Sequence, residues 1–60
     1  MMSLDEAKVI LKDSINDDGG LFNLGHYIAW ERGEGEVTLD CRFTADELEA
    51  IAVYMRSDTP

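Results

Sequence analysis

Apolar residues recur every three or four positions at the start of the chain, at Leu4, Ala7, Ile10, Leu11 and Ile15. That spacing gathers them on one stripe of an α-helix over about 4–16. Ser3 followed three residues later by Glu6 forms a capping box, in which each side chain satisfies an orphan backbone N–H of the helix start. The stretch Asn16-Asp17-Asp18-Gly19-Gly20 ends the helix, because two glycines permit the positive φ angles that a helix exit needs.

Leu21 to Gly25 reads as a short apolar linker, and beyond it the period changes. His26-Tyr27-Ile28-Ala29-Trp30-Glu31 and Glu36-Val37-Thr38-Leu39-Asp40-Cys41 read as two strands, about 26–31 and 36–41, joined by a turn at Arg32-Gly33-Glu34-Gly35. Closing the turn so that Glu31 faces Glu36 pairs Trp30 with Val37, Ile28 with Leu39 and His26 with Cys41. Every large apolar strand residue except Tyr27 then falls on one face, an agreement that a one-residue slip destroys. The opposite face carries Tyr27, Ala29 and Glu31 beside Asp40, Thr38 and Glu36, with Glu31 and Glu36 as like charges directly opposed.

Thr44 and Glu47 make a second capping box, and Phe43 and Leu48 occupy the positions of a hydrophobic staple. The stripe Leu48, Ile51, Ala52, Met55 comes next in a helix over about 45–56, with Ala45, Ala50 and Ala52 adding propensity and residues 57–60 forming a frayed tail. The expected fold is α+β: helix, two-stranded antiparallel hairpin, helix, in a single domain over 1–60, with both helices packed on one face of the hairpin.

Composition sets the scale of that fold. A 60-residue chain supports one thin core, and scaffolds below roughly 70 residues usually gain only ~3–5 kcal/mol from it. The lone Cys41 rules out an intramolecular disulfide, and no Cys/His cluster offers a zinc site. Completion of the core by a second copy, a homodimer, is therefore one route to stability. A hydrophobic fraction of 45% with a mean hydropathy of −0.21 fits a folded, soluble chain. No apolar run approaches the ~20 residues of a membrane span, and Met1-Met2-Ser3-Leu4-Asp5-Glu6 lacks the features of a signal peptide, so a cytoplasmic location without membrane attachment is expected.

Thirteen acids against five bases give a net charge of −8. Such a chain repels phosphate backbones, which argues against direct nucleic-acid binding and for attraction to a basic protein surface. Chemistry within the chain is sparse. His26 and Cys41 face each other in the hairpin register, but a reactive thiolate needs an exposed, electropositive setting. Here the surroundings are acidic and the position is expected to be buried, so the pair reads as a plain cysteine and histidine at the core edge. Placing Gly19 at the sixth position of a calcium loop puts Ser14 first and Gly25 twelfth, so both the leading Asp and the bidentate Glu are missing. Gly33-Glu34-Gly35 sits at a hairpin tip and is no phosphate loop. No catalytic residue, metal or cofactor is expected.

Trp30 shares a side with Ile28 and faces Val37, which assigns it to the core. Tyr27 differs, standing among carboxylates on the face the core does not use. An aromatic ringed by acids suits recognition of Arg and Lys, through cation–π attraction and bidentate carboxylate pairing. Tyr54 is a second aromatic candidate of this kind.

The run Val37-Thr38-Leu39-Asp40-Cys41-Arg42-Phe43-Thr44-Ala45-Asp46-Glu47-Leu48-Glu49-Ala50-Ile51-Ala52 resembles the ending of many short acidic orphan proteins of tailed phages and prophages, a pool that includes anti-CRISPR proteins. The resemblance covers about the last third of the chain. It implies a small acidic inhibitor, acting in the cytoplasm of a bacterial host by occupying a nucleic-acid-handling complex, and it carries over no catalytic residue. Charge and resemblance together point to a non-enzymatic, DNA-mimic-like binding protein. The expected partner-binding residues are Tyr27, Glu31, Glu34, Glu36 and Asp40 on the hairpin and Asp46, Glu47 and Glu49 at the second helix. The alternative is a self-associating accessory or assembly module of a phage or mobile element.

Overall fold

A computed structural model describes residues 2–57. Its elements in chain order are α1 (Leu4–Ile10), β1 (Leu21–Asn23), β2 (Ile28–Trp30), β3 (Thr38–Leu39) and α2 (Ala45–Ser57). The α+β architecture is as expected, with helices at either end of an antiparallel sheet. The sheet, however, has three strands in the order β1-β2-β3 rather than two.

The extra strand comes from the segment expected to be helix end and linker. The Ser3–Glu6 capping box forms as the sequence predicts, but α1 stops at Ile10 instead of residue 16. Past that point the backbone leaves the helix to pair with the segment around Gly20 to Phe22. The Phe22 N–H donates to the Ser14 carbonyl (2.8 Å), the Asn16 N–H donates to the Gly20 carbonyl (2.9 Å), and Ile15 bridges Leu21. The Gly19 N–H closes onto the Asn16 carbonyl at 3.0 Å, and Gly19 has φ +90°. That is a three-residue hairpin loop ending in a left-handed glycine. The glycines thus turn a strand pair rather than release a helix.

Gly20 has a separate role. A Cβ there would lie 2.8 Å from the Trp30 carbonyl oxygen, so only glycine lets the chain pass beneath β2 into β1.

β1 pairs with β2 as Leu21–Trp30, Phe22–Ala29 and Asn23–Ile28. Asn23 folds the connection, its Oδ1 accepting the N–H of Gly25 (2.9 Å) and His26 (3.4 Å), while its Nδ2 donates to Ser14 Oγ (3.3 Å) and the Asp13 carbonyl (3.4 Å). β2 and β3 pair as Ile28–Leu39 and Ala29–Thr38, the register that the apolar pattern requires. The Asp40 N–H continues it onto the Tyr27 carbonyl at 3.1 Å. Both strands are shorter than the expected 26–31 and 36–41. At one end Asn23 draws His26 into the loop, and at the other Glu31 starts a turn closed by the Glu34 N–H at 3.0 Å.

The core is Ala7, Leu11, Leu21, Ile28, Trp30, Ala50 and Ile51, with Ile15, Val37, Leu39, Phe43, Val53, Tyr54 and Met55 packed around it. Both helices therefore meet one face of the sheet and each other. Each contributes a fully buried alanine, Ala7 or Ala50, whose small side chain permits close approach. α2 keeps Ile51 and Met55 of its expected stripe on the core side. Leu48 is 45% exposed, and the inward line runs through Ala50, Ile51 and Tyr54. In α1, Ile10 likewise turns outward at 39% exposure.

Tyr54 takes an inward place beside Ile51 and Met55. Its hydroxyl donates to the Gly19 carbonyl at 2.9 Å, and its ring meets Trp30 edge-on, with centroids 5.9 Å apart. Tyr54 is thus a packing residue, not the surface aromatic that the sequence suggested. The Trp30 indole N–H donates in turn to the Glu34 carbonyl at 2.8 Å, which ties the β2–β3 connection to the core. Ser57 is helical rather than the start of a tail, its hydroxyl donating to the Tyr54 carbonyl. The remaining tail residues, 58–60, lie outside the described residues.

Candidate functional site

With both helices on one side, the sheet leaves its other face open. Strand alternation assigns Leu21, Ile28 and Trp30 inward and puts Phe22, Ala29 and Thr38 side by side across the three strands on the outer face. Tyr27 and Asp40 form the adjoining row, joined through their backbones. Tyr27 is 38% exposed and Phe22 49%. The outer face therefore carries two aromatics, and the second was invisible while residues 21–25 were read as a linker. The sequence offered only the adjacent apolar pair Leu21 and Phe22 before the Asn23-Leu24-Gly25 turn, with no apolar–polar alternation to mark a strand.

Exposure alternates from Glu36 to Asp40, with Val37 and Leu39 half-buried against the core. Glu36, Thr38 and Asp40 consequently share the outer side. Glu31 and Glu34 are exposed in the β2–β3 connection. The paired ladder stops at Ala29–Thr38, so the opposition of Glu31 and Glu36 is not locked into a strand pair. Arg32 runs along the Gly19 turn, its Cδ 3.2 Å from where a Cβ on Gly19 would stand.

The acids of α2 belong to the helical layer and are partly engaged within the fold. Glu47 closes the capping box, its Oε1 accepting the Thr44 N–H at 2.8 Å while its own N–H donates to Thr44 Oγ1 at 3.0 Å. That backbone hydrogen bond holds the Glu47 carboxyl below the usual glutamate range; burial opposes it, and the Thr44 hydroxyl and attraction to His26 assist. Glu49 accepts the backbone N–H of Met2 at 3.0 Å, which links the start of α2 to the N-terminal segment. Asp46 is exposed in the first turn of α2. Of the eight expected partner-binding residues, the fold brings Tyr27, Glu36 and Asp40 onto one surface, sets Glu31 and Glu34 at its end, gives Glu47 and Glu49 structural duties, and leaves Asp46 exposed on the helical layer.

His26 and Cys41 do not sit on the apolar face. Both are exposed, because β2 begins only at Ile28 and the chain beyond Asp40 leaves the ladder. The His26 ring lies instead against Phe43, with centroids 6.0 Å apart. Among the described residues, no group of three or more His, Cys, Asp or Glu side chains is placed to hold a metal ion, and no helix is long and apolar enough to cross a membrane. Compared with known proteins, the chain matches no family model, no curated protein and no solved structure.

Proposed function

We propose that this chain is a non-enzymatic binding protein whose outer sheet face occupies a basic surface on a nucleic-acid-handling protein, in the manner of a small phage-borne inhibitor. The observation that carries the reading is the row of Tyr27 and Asp40 on the face that the helices leave open, continued by Thr38 and Glu36 and bordered by Phe22. Aromatic area beside carboxylates attracts Arg and Lys, and a net charge of −8 steers the whole chain toward positive surfaces.

The test compares the wild-type chain with a Glu31→Lys, Glu36→Lys, Asp40→Lys variant as bait for partners from a bacterial lysate. Each captured partner is then titrated from low to high salt. Attraction between exposed charges is screened over about 8 Å at physiological ionic strength, so affinity falls as salt rises. Affinity indifferent to salt, or capture unchanged by the triple reversal, overturns the reading. Self-association is the second reading, favoured by the exposure of Phe22 and Leu24, the latter at 72%. Sedimentation at micromolar concentration separates the two.

A further inference from the structure

We propose that the β3 edge is a docking strand for an extended basic peptide segment, which adds to the sheet as a fourth strand with Arg or Lys at two positions four residues apart. This rests on the proposed binding function and names the chemistry of the partner.

The two edges of the sheet differ. The β1 side is already covered by the chain itself, through the Ile15–Leu21 bridge and the hydrogen bonds Phe22 to Ser14 and Asn16 to Gly20. The β3 side is the outer position in the strand order, with no further strand among the described residues. The register fixes what that edge offers. Asp40 is hydrogen-bonded to Tyr27, and Thr38 is opposite Ala29, so the Ile28–Leu39 pair between them is a non-hydrogen-bonded pair. The N–H and C=O of Leu39 therefore point away from β2, toward the open side. An added strand takes its hydrogen bonds from there.

Side-chain chemistry selects the occupant. Glu36, Thr38 and Asp40 alternate onto the outer face along this edge, and cross-strand neighbours on one face stand about 5 Å apart. A peptide strand beside β3 brings two of its side chains next to Glu36 and Asp40, separated by about 13 Å along the strand, with a small or polar residue next to Thr38 between them. Arg or Lys at both outer positions pairs with the carboxylates. In one register the same charges disfavour a second copy. Antiparallel self-pairing centred on Thr38 sets Glu36 against the partner's Asp40 twice, and like charges directly opposed are destabilising. The edge thus accepts a basic strand and, in that register, resists its own kind.

The test uses a synthetic peptide with Arg at positions i and i+4 in a β-prone, otherwise neutral background, alongside the same peptide N-methylated at the backbone amide that would face Leu39. Binding to the whole chain is followed by amide hydrogen exchange and by titration. The expected results are that the unmethylated peptide slows exchange at Leu39, that methylation weakens binding at least about tenfold, and that Glu36→Lys with Asp40→Lys weakens it roughly tenfold. A Leu39→Pro variant, which removes the outward N–H while leaving the bonds to β2, is expected to abolish the response. If that variant does not fold, the methylated peptide decides the same question. Equal binding of both peptides overturns the strand-addition proposal while leaving an acidic binding face intact. No binding of either, or self-association that protects the Leu39 amide, overturns it outright.

Discussion

Replacing Gly20 by alanine tests the least forgiving contact in the molecule. The added Cβ would stand 2.8 Å from the Trp30 carbonyl oxygen and 3.3 Å from Asp18 Oδ1. The first neighbour is backbone, so relief requires moving a strand. Movement is opposed on both sides, because the Gly20 N–H donates to Asp18 Oδ1 at 2.9 Å, the Gly20 carbonyl accepts the Asn16 N–H at 2.9 Å, and the next residue, Leu21, is paired with Trp30. Overpacking of this kind costs about 1–3 kcal/mol. With the β1–β2 pairing disturbed as well, the upper half, about 2–3 kcal/mol, is expected. A chain this size has a total stability of roughly 3–9 kcal/mol, so the loss is a large share and lowers the melting temperature by roughly 10–20 °C. The assay is urea and thermal unfolding followed through Trp30, the one tryptophan, which is 4% exposed and so reports its own burial. Gly35→Ala, with open space around the new methyl, serves as the control and is expected to stay within about 0.5 kcal/mol of wild type. Equal stability of the two variants would refute the close passage of residue 20 beneath β2.

Removing the Tyr54 hydroxyl by Tyr54→Phe is expected to cost about 0.5–1.5 kcal/mol in a denaturant melt, since it leaves the Gly19 carbonyl without its donor. Thr44→Ala strips the capping box of α2 and is expected to cost about 1 kcal/mol, measured the same way. The pH dependence arises from the same cap. The Glu47 carboxyl is depressed in the folded chain, so its stabilising contribution is fully present above the ordinary glutamate value of about 4.3 and is lost as pH falls through its lower folded value. Unfolding curves from pH 7 to pH 3 are expected to show a shallower acid loss for Glu47→Gln than for wild type. In α2, Leu48→Lys is expected to change stability by less than about 0.5 kcal/mol, whereas Ala50→Leu costs about 1–3 kcal/mol. Parity of those two in thermal melts would contradict the exposure of Leu48 and the burial of Ala50.

The parts of the fold that could be read from the residues are those carried by local rules. Both capping boxes, the antiparallel pairing of β2 with β3 and the burial of Trp30 follow from residue type and spacing alone. What escaped were choices made by tertiary pairing. Leu11 and Ile15 fit a helical stripe, yet Ile15 is taken by the bridge to Leu21 and the helix yields. Gly19 and Gly20 fit a helix exit and a hairpin loop equally well, and only the bond between Asn16 and Gly20 decides. The inward place of Tyr54 involves a hydrogen bond to a residue 35 positions away, which no local pattern encodes. The outer face was half legible. The strand register placed Tyr27 and Asp40, while Phe22 depended on the existence of β1.

The meander of three short strands has a kinetic consequence. Each strand pairs with its neighbour in sequence, through loops that close quickly, whereas the two helices that seal the core are separated by the 34 residues from 11 to 44. Closing a loop of that length costs about 3 kcal/mol of chain entropy, and nothing offsets it until Ala50 and Ile51 are seated. The sheet is thus expected to form early and to wait, only marginally stable, for α2 to dock. In a folding-rate analysis, truncations in β2 should slow folding, while Tyr54→Phe should act mainly by hastening unfolding. The clasp between Tyr54 and the Gly19 turn then governs how long the native chain persists rather than how fast it arises.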